Sequence, residues 1–239
     1  MSLAVTAAAA EPAVVVSKLT KRFGDREALA AIDLEIPAAG CFGLFGPNGS
    51  GKTTLLKIAS TLMRKSDGAI RVAGHELPKG ALAVRSALGI LLDRPLVPMD
   101  FSLSEALHYQ AALYQLANPK ERIEKLIERV GLVWRTRDPI RTFSRGMGQR
   151  VSLLCALLPQ PEILILDEPF TGLDRRGCEL VEEAIAEQKE RGKCVILVTH
   201  DLERGERLCD DIAVLDRGKV AFHAKAGEWE LSDLTAVYQ

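Results

Sequence analysis

The chain has 239 residues, 47% of them hydrophobic, enough to bury a substantial core within one domain and a subdomain. Its 31 Lys and Arg against 32 Asp and Glu leave a net charge of −1, which gives no strong field for a nucleic-acid backbone or an anionic lipid surface. Cys41, Cys155, Cys178, Cys194 and Cys209 lack the paired spacing of zinc sites and the density of a disulfide scaffold, so they read as reduced cytoplasmic thiols, and no apolar run reaches the roughly 18 residues of a membrane span.

In chain order, an Ala-rich leader through residue 13 is expected to be frayed, with one domain occupying 14–239. Val14, Val15 and Val16, then the alternating run 31–36 before Pro37, predict antiparallel strands. A buried strand over 41–45 runs into a Gly-rich turn and a helix over about 52–62, and Asp67-Gly68 introduces an exposed hairpin strand over 69–74. From about 93 to 158 the character is helical, an insertion. Leu103, Ala106, Leu107 and Leu113 recur at helical spacing, and Asn118-Pro119 opens a second amphipathic segment with Ile123, Leu126, Ile127 and Val130. The stripe Leu103, Leu107, Tyr114 reads as core rather than as a partner face. Continuous apolar runs at 163–166 and 194–198 are of the type buried on both sheet faces, with a helix over about 176–191 between them, so a parallel α/β core resumes.

Gly46-Pro47-Asn48-Gly49-Ser50-Gly51-Lys52-Thr53 fits the phosphate-loop pattern, and Thr54 extends it into the helix. Glycines let the backbone aim successive N–H groups at phosphate oxygens, where the helix dipole favours the same charge. Lys52 is expected at the β- and γ-phosphates of ATP and Thr53 at Mg²⁺. The strand 163–166 delivers Asp167 and Glu168 at its end, where open α/β sheets place ligands. Asp167 is expected to hold the metal and Glu168 to polarise the attacking water. His75, His108 and His223 show no metal spacing and read as surface or packing residues.

Three further segments carry a family resemblance. Phe143-Ser144-Arg145-Gly146-Met147-Gly148-Gln149-Arg150 looks like a variant of the ABC signature, Thr171-Gly172-Leu173-Asp174 like the D-loop, and Val198-Thr199-His200-Asp201 like the switch-histidine segment. The chain thus resembles the ATP-binding subunits of ABC transporters from residue 14 to about 220. The resemblance implies an ABC-type P-loop fold: a mixed sheet core, an antiparallel β subdomain and an inserted helical subdomain. It puts Phe23 against adenine, His200 beside the γ-phosphate and Glu168, and Asp174 between subunits. Ser144, Arg145, Gly146 and Met147 would meet the nucleotide of the opposite subunit, implying an ATP-dependent dimer, with itself or with another nucleotide-binding subunit, beneath a transmembrane permease on a separate chain at the inner face of the membrane. The family's glutamine at the entry to the helical insertion has no counterpart here, where Asp93 or Arg94 takes its place, and Met147 stands where the signature usually has glutamine. Words such as Arg141-Thr142-Phe143-Ser144-Arg145-Gly146-Met147 and His200-Asp201-Leu202-Glu203 are similar to the ATP-binding subunit of the haem exporter of cytochrome c biogenesis.

Overall fold

The computed structural model describes residues 11–92, 95–225 and 227–228. The chain opens with β1 (Val14–Phe23), β2 (Arg26–Ile36) and β3 (Gly40–Phe45), then helix α1 (Lys52–Ala59), β4 (Asp67–Val72) and β5 (His75–Glu76). Strands β1, β2, β4 and β5 form an antiparallel sheet in the order β2-β1-β4-β5, as the alternating apolar pattern predicts. Helix α2 (Ala81–Ala87) and strand β6 (Leu88–Leu91) lead into three helices, α3 (Leu103–Leu113), α4 (Lys120–Arg129) and α5 (Arg145–Leu157). The chain closes with β7 (Ile163–Asp167), α6 (Arg175–Glu190), β8 (Cys194–Val198), α7 (Leu202–Leu208), β9 (Asp211–Asp216) and β10 (Lys219–Lys225). The second sheet has the order β10-β9-β3-β8-β7-β6 and is parallel except for β10, which pairs antiparallel with β9.

The central strands are apolar throughout because both of their faces are covered. Successive side chains point to opposite faces, and the structure sorts them accordingly. Cys41 and Phe45 of β3, Leu164 and Leu166 of β7, and Val195 and Leu197 of β8 join a cluster with the helices α3 to α6. Phe42 and Leu44, Ile163 and Ile165, and Ile196 and Val198 join a second cluster with α1 and the antiparallel sheet.

The first inserted helix has a local reason to start. Ser102 caps α3 by accepting from the Glu105 amide, while the Glu105 carboxylate accepts from the Ser102 amide, a capping box. Leu103 and Leu107 are fully buried, so the stripe is core, and Tyr114 completes it by donating its hydroxyl to the Leu88 carbonyl of β6 at 3.1 Å. On α4, Ile123 and Ile127 face inward while Glu121 and Lys125 pair in solvent.

Two expectations change. Helix α1 stops at Ala59 rather than near 62, because Ser60 closes the helix and Thr61 turns the chain with a left-handed backbone (φ 63°). The expected leader lies outside the described residues as far as 10, but from Glu11 the chain is tied down. Glu11 pairs with Arg71 at 2.9 Å, and the Ala13 carbonyl accepts from the Ala73 amide at 2.8 Å.

Strand β6 lies against α5 with no room for a side chain at Gly89, where a Cβ would sit 2.1 Å from the Ala156 carbonyl oxygen. Gly89→Ala should therefore destabilise the protein by about 1–3 kcal/mol through overpacking. Urea unfolding measures this, and an unshifted midpoint would show that strand and helix part freely.

Candidate functional site

The parallel strands β3, β7 and β8 end on one edge of the sheet, and the loops leaving them build a single cleft of about 280 Å³. Asn48, Gly49, Gly51, Lys52, Thr53 and Thr54 form its floor, Asp167, Glu168 and Val198 one wall, and Phe23, Arg26 and Ala28 the other. Gly46 and Gly51 are fixed by space as well as by backbone. Their φ angles are 135° and 114°, and a Cβ would lie 2.0 Å from the Leu215 carbonyl oxygen at Gly46 and 2.6 Å from that of Ala28 at Gly51. Ser50 is buried beneath the loop, donating its amide to Pro47 and accepting from the Gly218 amide at 2.9 Å.

Lys52 folds its ammonium back onto the carbonyls of Gly46 (2.6 Å) and Pro47 (3.0 Å). Burial pulls its pKa below the ordinary lysine value, opposed by the nearby charges of Glu168 and Asp167. Thr53, at the start of α1, donates its hydroxyl to Asp167 Oδ2 at 3.3 Å. A hydroxyl and a carboxylate side by side under a glycine cradle form the oxygen donor set that suits Mg²⁺ beside phosphates.

Glu168 leaves β7 with a left-handed backbone (φ 50°), its amide held by the Val198 carbonyl at 2.9 Å. Its Oε2 lies 2.9 Å from His200 Nδ1. His200 follows the buried Thr199, whose hydroxyl accepts from the Asp201 amide, and Asp201 caps α7 by accepting from the Arg204 amide. The structure therefore brings Phe23, Lys52, Thr53, Asp167, Glu168 and His200 to one place.

The signature residues stand apart. Ser144 caps α5 by accepting from the Met147 amide, and none of Ser144, Arg145, Gly146, Met147 and Asp174 lines the cleft. Gly146 packs so closely on the D-loop that a Cβ there would lie 2.9 Å from the Gly172 carbonyl oxygen. Asp174 caps α6 by accepting from the Gly177 amide and takes both oxygens to Arg150 Nη2, at 2.7 and 2.9 Å. The Gly177 amide first, and Arg150 second, hold its carboxyl below the usual range. Asp93 and Arg94 lie outside the described residues.

Three contributors escaped the sequence reading. Gln149, buried on α5, donates to the Glu168 and Pro169 carbonyls at 3.4 and 3.3 Å, and Arg150 ties α5 to Asp174. Both lie one helical turn beyond Gly146, the spacing that returns to the same face, but their partners stand 19 and 24 residues further on and only the fold brings them together. Arg26 is opposite Phe23 across the β1–β2 pair, and only that pairing register shows it.

A phosphate loop after a central strand, two carboxylates after another and a histidine after a third define a nucleotide triphosphatase. A family model described as ABC transporter matches residues 29–171. Daunorubicin resistance ATP-binding protein DrrA3 of Streptomyces coeruleorubidus is 37% identical over 92% of this chain and 70% of its own length. Nod factor export ATP-binding protein I of Cupriavidus metallidurans is 35% identical over 87% and 69%. Among solved structures, an ATP-binding subunit of an ABC transporter superposes with a TM-score of 0.86 at 28% identity, over 93% of this chain and 98% of that one. A cassette solved as a dimer with ADP and Pi superposes at 0.81 with 22% identity, over 90% and 100%, a likeness of fold. The chain belongs to the ABC transporter family, as an ATP-binding and ATP-hydrolysing domain.

Burial raises the Asp167 carboxyl above its ordinary value of 3.8, and Glu168 adds to the rise, while the Thr53 hydroxyl and then Lys52 oppose it. A raised folded-state pKa contributes stability below the unfolded value and loses it as pH rises through the folded one. At neutral pH the ionised carboxylate thus works against folding, and Asp167→Asn should raise the melting temperature of the nucleotide-free protein while ending ATP hydrolysis. The gain should fade as pH falls towards 3.8. A variant that melts lower at pH 7 would contradict the sign.

Proposed function

We propose that this chain is the ATPase subunit of an ABC exporter and supplies one half of a two-subunit ATP sandwich beneath a separate transmembrane permease. The observation that carries this is the split between its two sets of motif residues. Lys52, Thr53, Asp167 and Glu168 share a cleft that neither the signature residues Ser144 to Met147 nor Asp174 enters, which leaves those to serve another subunit's nucleotide. The names of the curated relatives, drug resistance and Nod factor export, support outward transport. Haem export for cytochrome c biogenesis is the narrower cargo reading, supported by the flanking motifs around the signature alone. Among the described residues no helix is long and apolar enough to cross a membrane, and on this reading the chain sits peripherally at the inner face, against its permease.

The geometry supports a role for each residue on this reading. Lys52 exchanges its contacts with the loop carbonyls of Gly46 and Pro47 for β- and γ-phosphate oxygens. Thr53 and Asp167 would hold Mg²⁺, which would supply charge neutralisation at the phosphates. Glu168 orients the water whose oxygen bonds to the γ-phosphorus as the bond to ADP breaks, and His200, 2.9 Å from the carboxylate, keeps Glu168 in place. Phe23, 48% exposed at the rim, offers its ring to adenine.

Glu168→Gln keeps the side chain's size and loses its charge, so ATP should bind while hydrolysis falls by roughly 100-fold or more, the scale of a lost general base. In size-exclusion chromatography with ATP and Mg²⁺ this variant should elute as a dimer and return to monomer in ADP, whereas the parent stays monomeric. A variant that binds ATP tightly yet remains a monomer would remove the composite site.

Ser144→Arg places a bulky cation at the face offered to the other subunit. It should abolish hydrolysis and spare ATP affinity measured on the monomer. Equal loss of both would move Ser144 into its own chain's site.

A further inference from the structure

We infer that Arg26 is a second cationic anchor for the phosphates of ATP and ADP, reaching them from the β1–β2 hairpin on the side of the cleft opposite Lys52. Gly24 turns the hairpin with a positive φ (56°), and Phe23 and Arg26 pair directly across it. Both line the cleft, Phe23 at the rim, Arg26 against the phosphate loop. Arg26 Nη2 comes within 3.4 Å of where a Cβ on Gly49 would stand, so the guanidinium lies over the middle of the loop.

The neighbouring cations are all engaged. Arg22 pairs with Glu27 at 3.1 Å, and Lys21 donates to the Arg64 carbonyl at 2.9 Å with its ammonium 4.9 Å from the Phe23 ring centroid. Lys52 is held by two loop carbonyls. The Arg26 side chain, by contrast, has no hydrogen bond or ion pair among the described residues, and it is exposed. An exposed guanidinium with its donors unspent, standing over a glycine-lined phosphate loop, matches a phosphate group in charge and in fork geometry. Its position over Gly49, in a loop whose amides cradle the α- and β-phosphates, makes it an anchor shared by ATP and ADP, not a sensor of the γ-phosphate.

This inference rests on the ATPase reading, and the test separates the two. ADP affinity is measured by isothermal titration calorimetry on the intact chain, for Arg26→Ala, Arg26→Lys and Lys52→Ala, alongside the melting temperature of each protein without nucleotide. Arg26→Ala should weaken ADP on the order of tenfold, the loss of one solvent-accessible charge-assisted hydrogen-bonding group. Its melting temperature should not move, and Arg26→Lys should recover only the part of the affinity owed to charge, not the part owed to the fork. Added salt should narrow the gap between parent and Arg26→Ala, because a screened cation contributes less. Unchanged affinity in Arg26→Ala with a clear loss in Lys52→Ala would overturn the role of Arg26 and leave the ATPase reading standing. Unchanged affinity in both would overturn the cleft as the nucleotide site. A loss in Arg26→Ala that tracks a lower melting temperature would make the residue structural and sink the inference.

Discussion

The parallel pairing of β8 with β3 on one side and β7 on the other lines up the ends of three strands, and every group with a chemical role in the cleft is hung from one of those ends or from the β1–β2 hairpin beside them. Because the strands are buried on both faces, their ends cannot drift relative to one another without opening two hydrophobic clusters at once. That rigidity holds Thr53 within reach of Asp167 and Glu168 within reach of His200. Preorganised charge of this kind is what phosphoryl transfer asks of a protein, since little covalent work is left for it to do.

The same arrangement carries a cost in stability. Lys52 and Asp167 are both drawn out of water, and burial shifts each of them towards its neutral form. Their mutual attraction opposes this without cancelling it. The tension is local, and it marks the place where a polyphosphate with its counter-ion brings the most relief. Surface ion pairs such as Lys125 with Glu121 add little by comparison.

Much of this was legible in the sequence because the signals were of two strong kinds. Apolar runs without alternation announced β3, β7 and β8, and a glycine pattern with a fixed lysine announced the loop between β3 and α1. Shorter elements escaped. Leu88–Leu91 continues an alanine-rich segment that also forms α2, and four residues are too few to separate a buried strand from a helix by period. Strands β9 and β10 were unmarked in the reading, although β9 pairs with β3 and supports the phosphate loop through Leu215. Gln149, Arg150 and Arg26 lay out of reach for a different reason. Gln149 and Arg150 act through partners distant along the chain, Glu168 and Asp174, and Arg26 comes over the phosphate loop only through the fold.

The two-sided sorting of the central strands has a bearing on how such a chain diversifies. Among the described residues the buried apolar side chains of the helical side and of the nucleotide side form two separate clusters divided by the strands, with Gln149 of α5 reaching across to the Glu168 and Pro169 carbonyls. Substitutions more than about 7–10 Å apart with no shared partners combine nearly additively. Helices α3 and α4 can therefore exchange their surfaces, and accumulate mutations in their packing, without compensating changes beneath the phosphate loop. A lineage built on this plan can be refitted to new membrane neighbours while its engine is inherited intact.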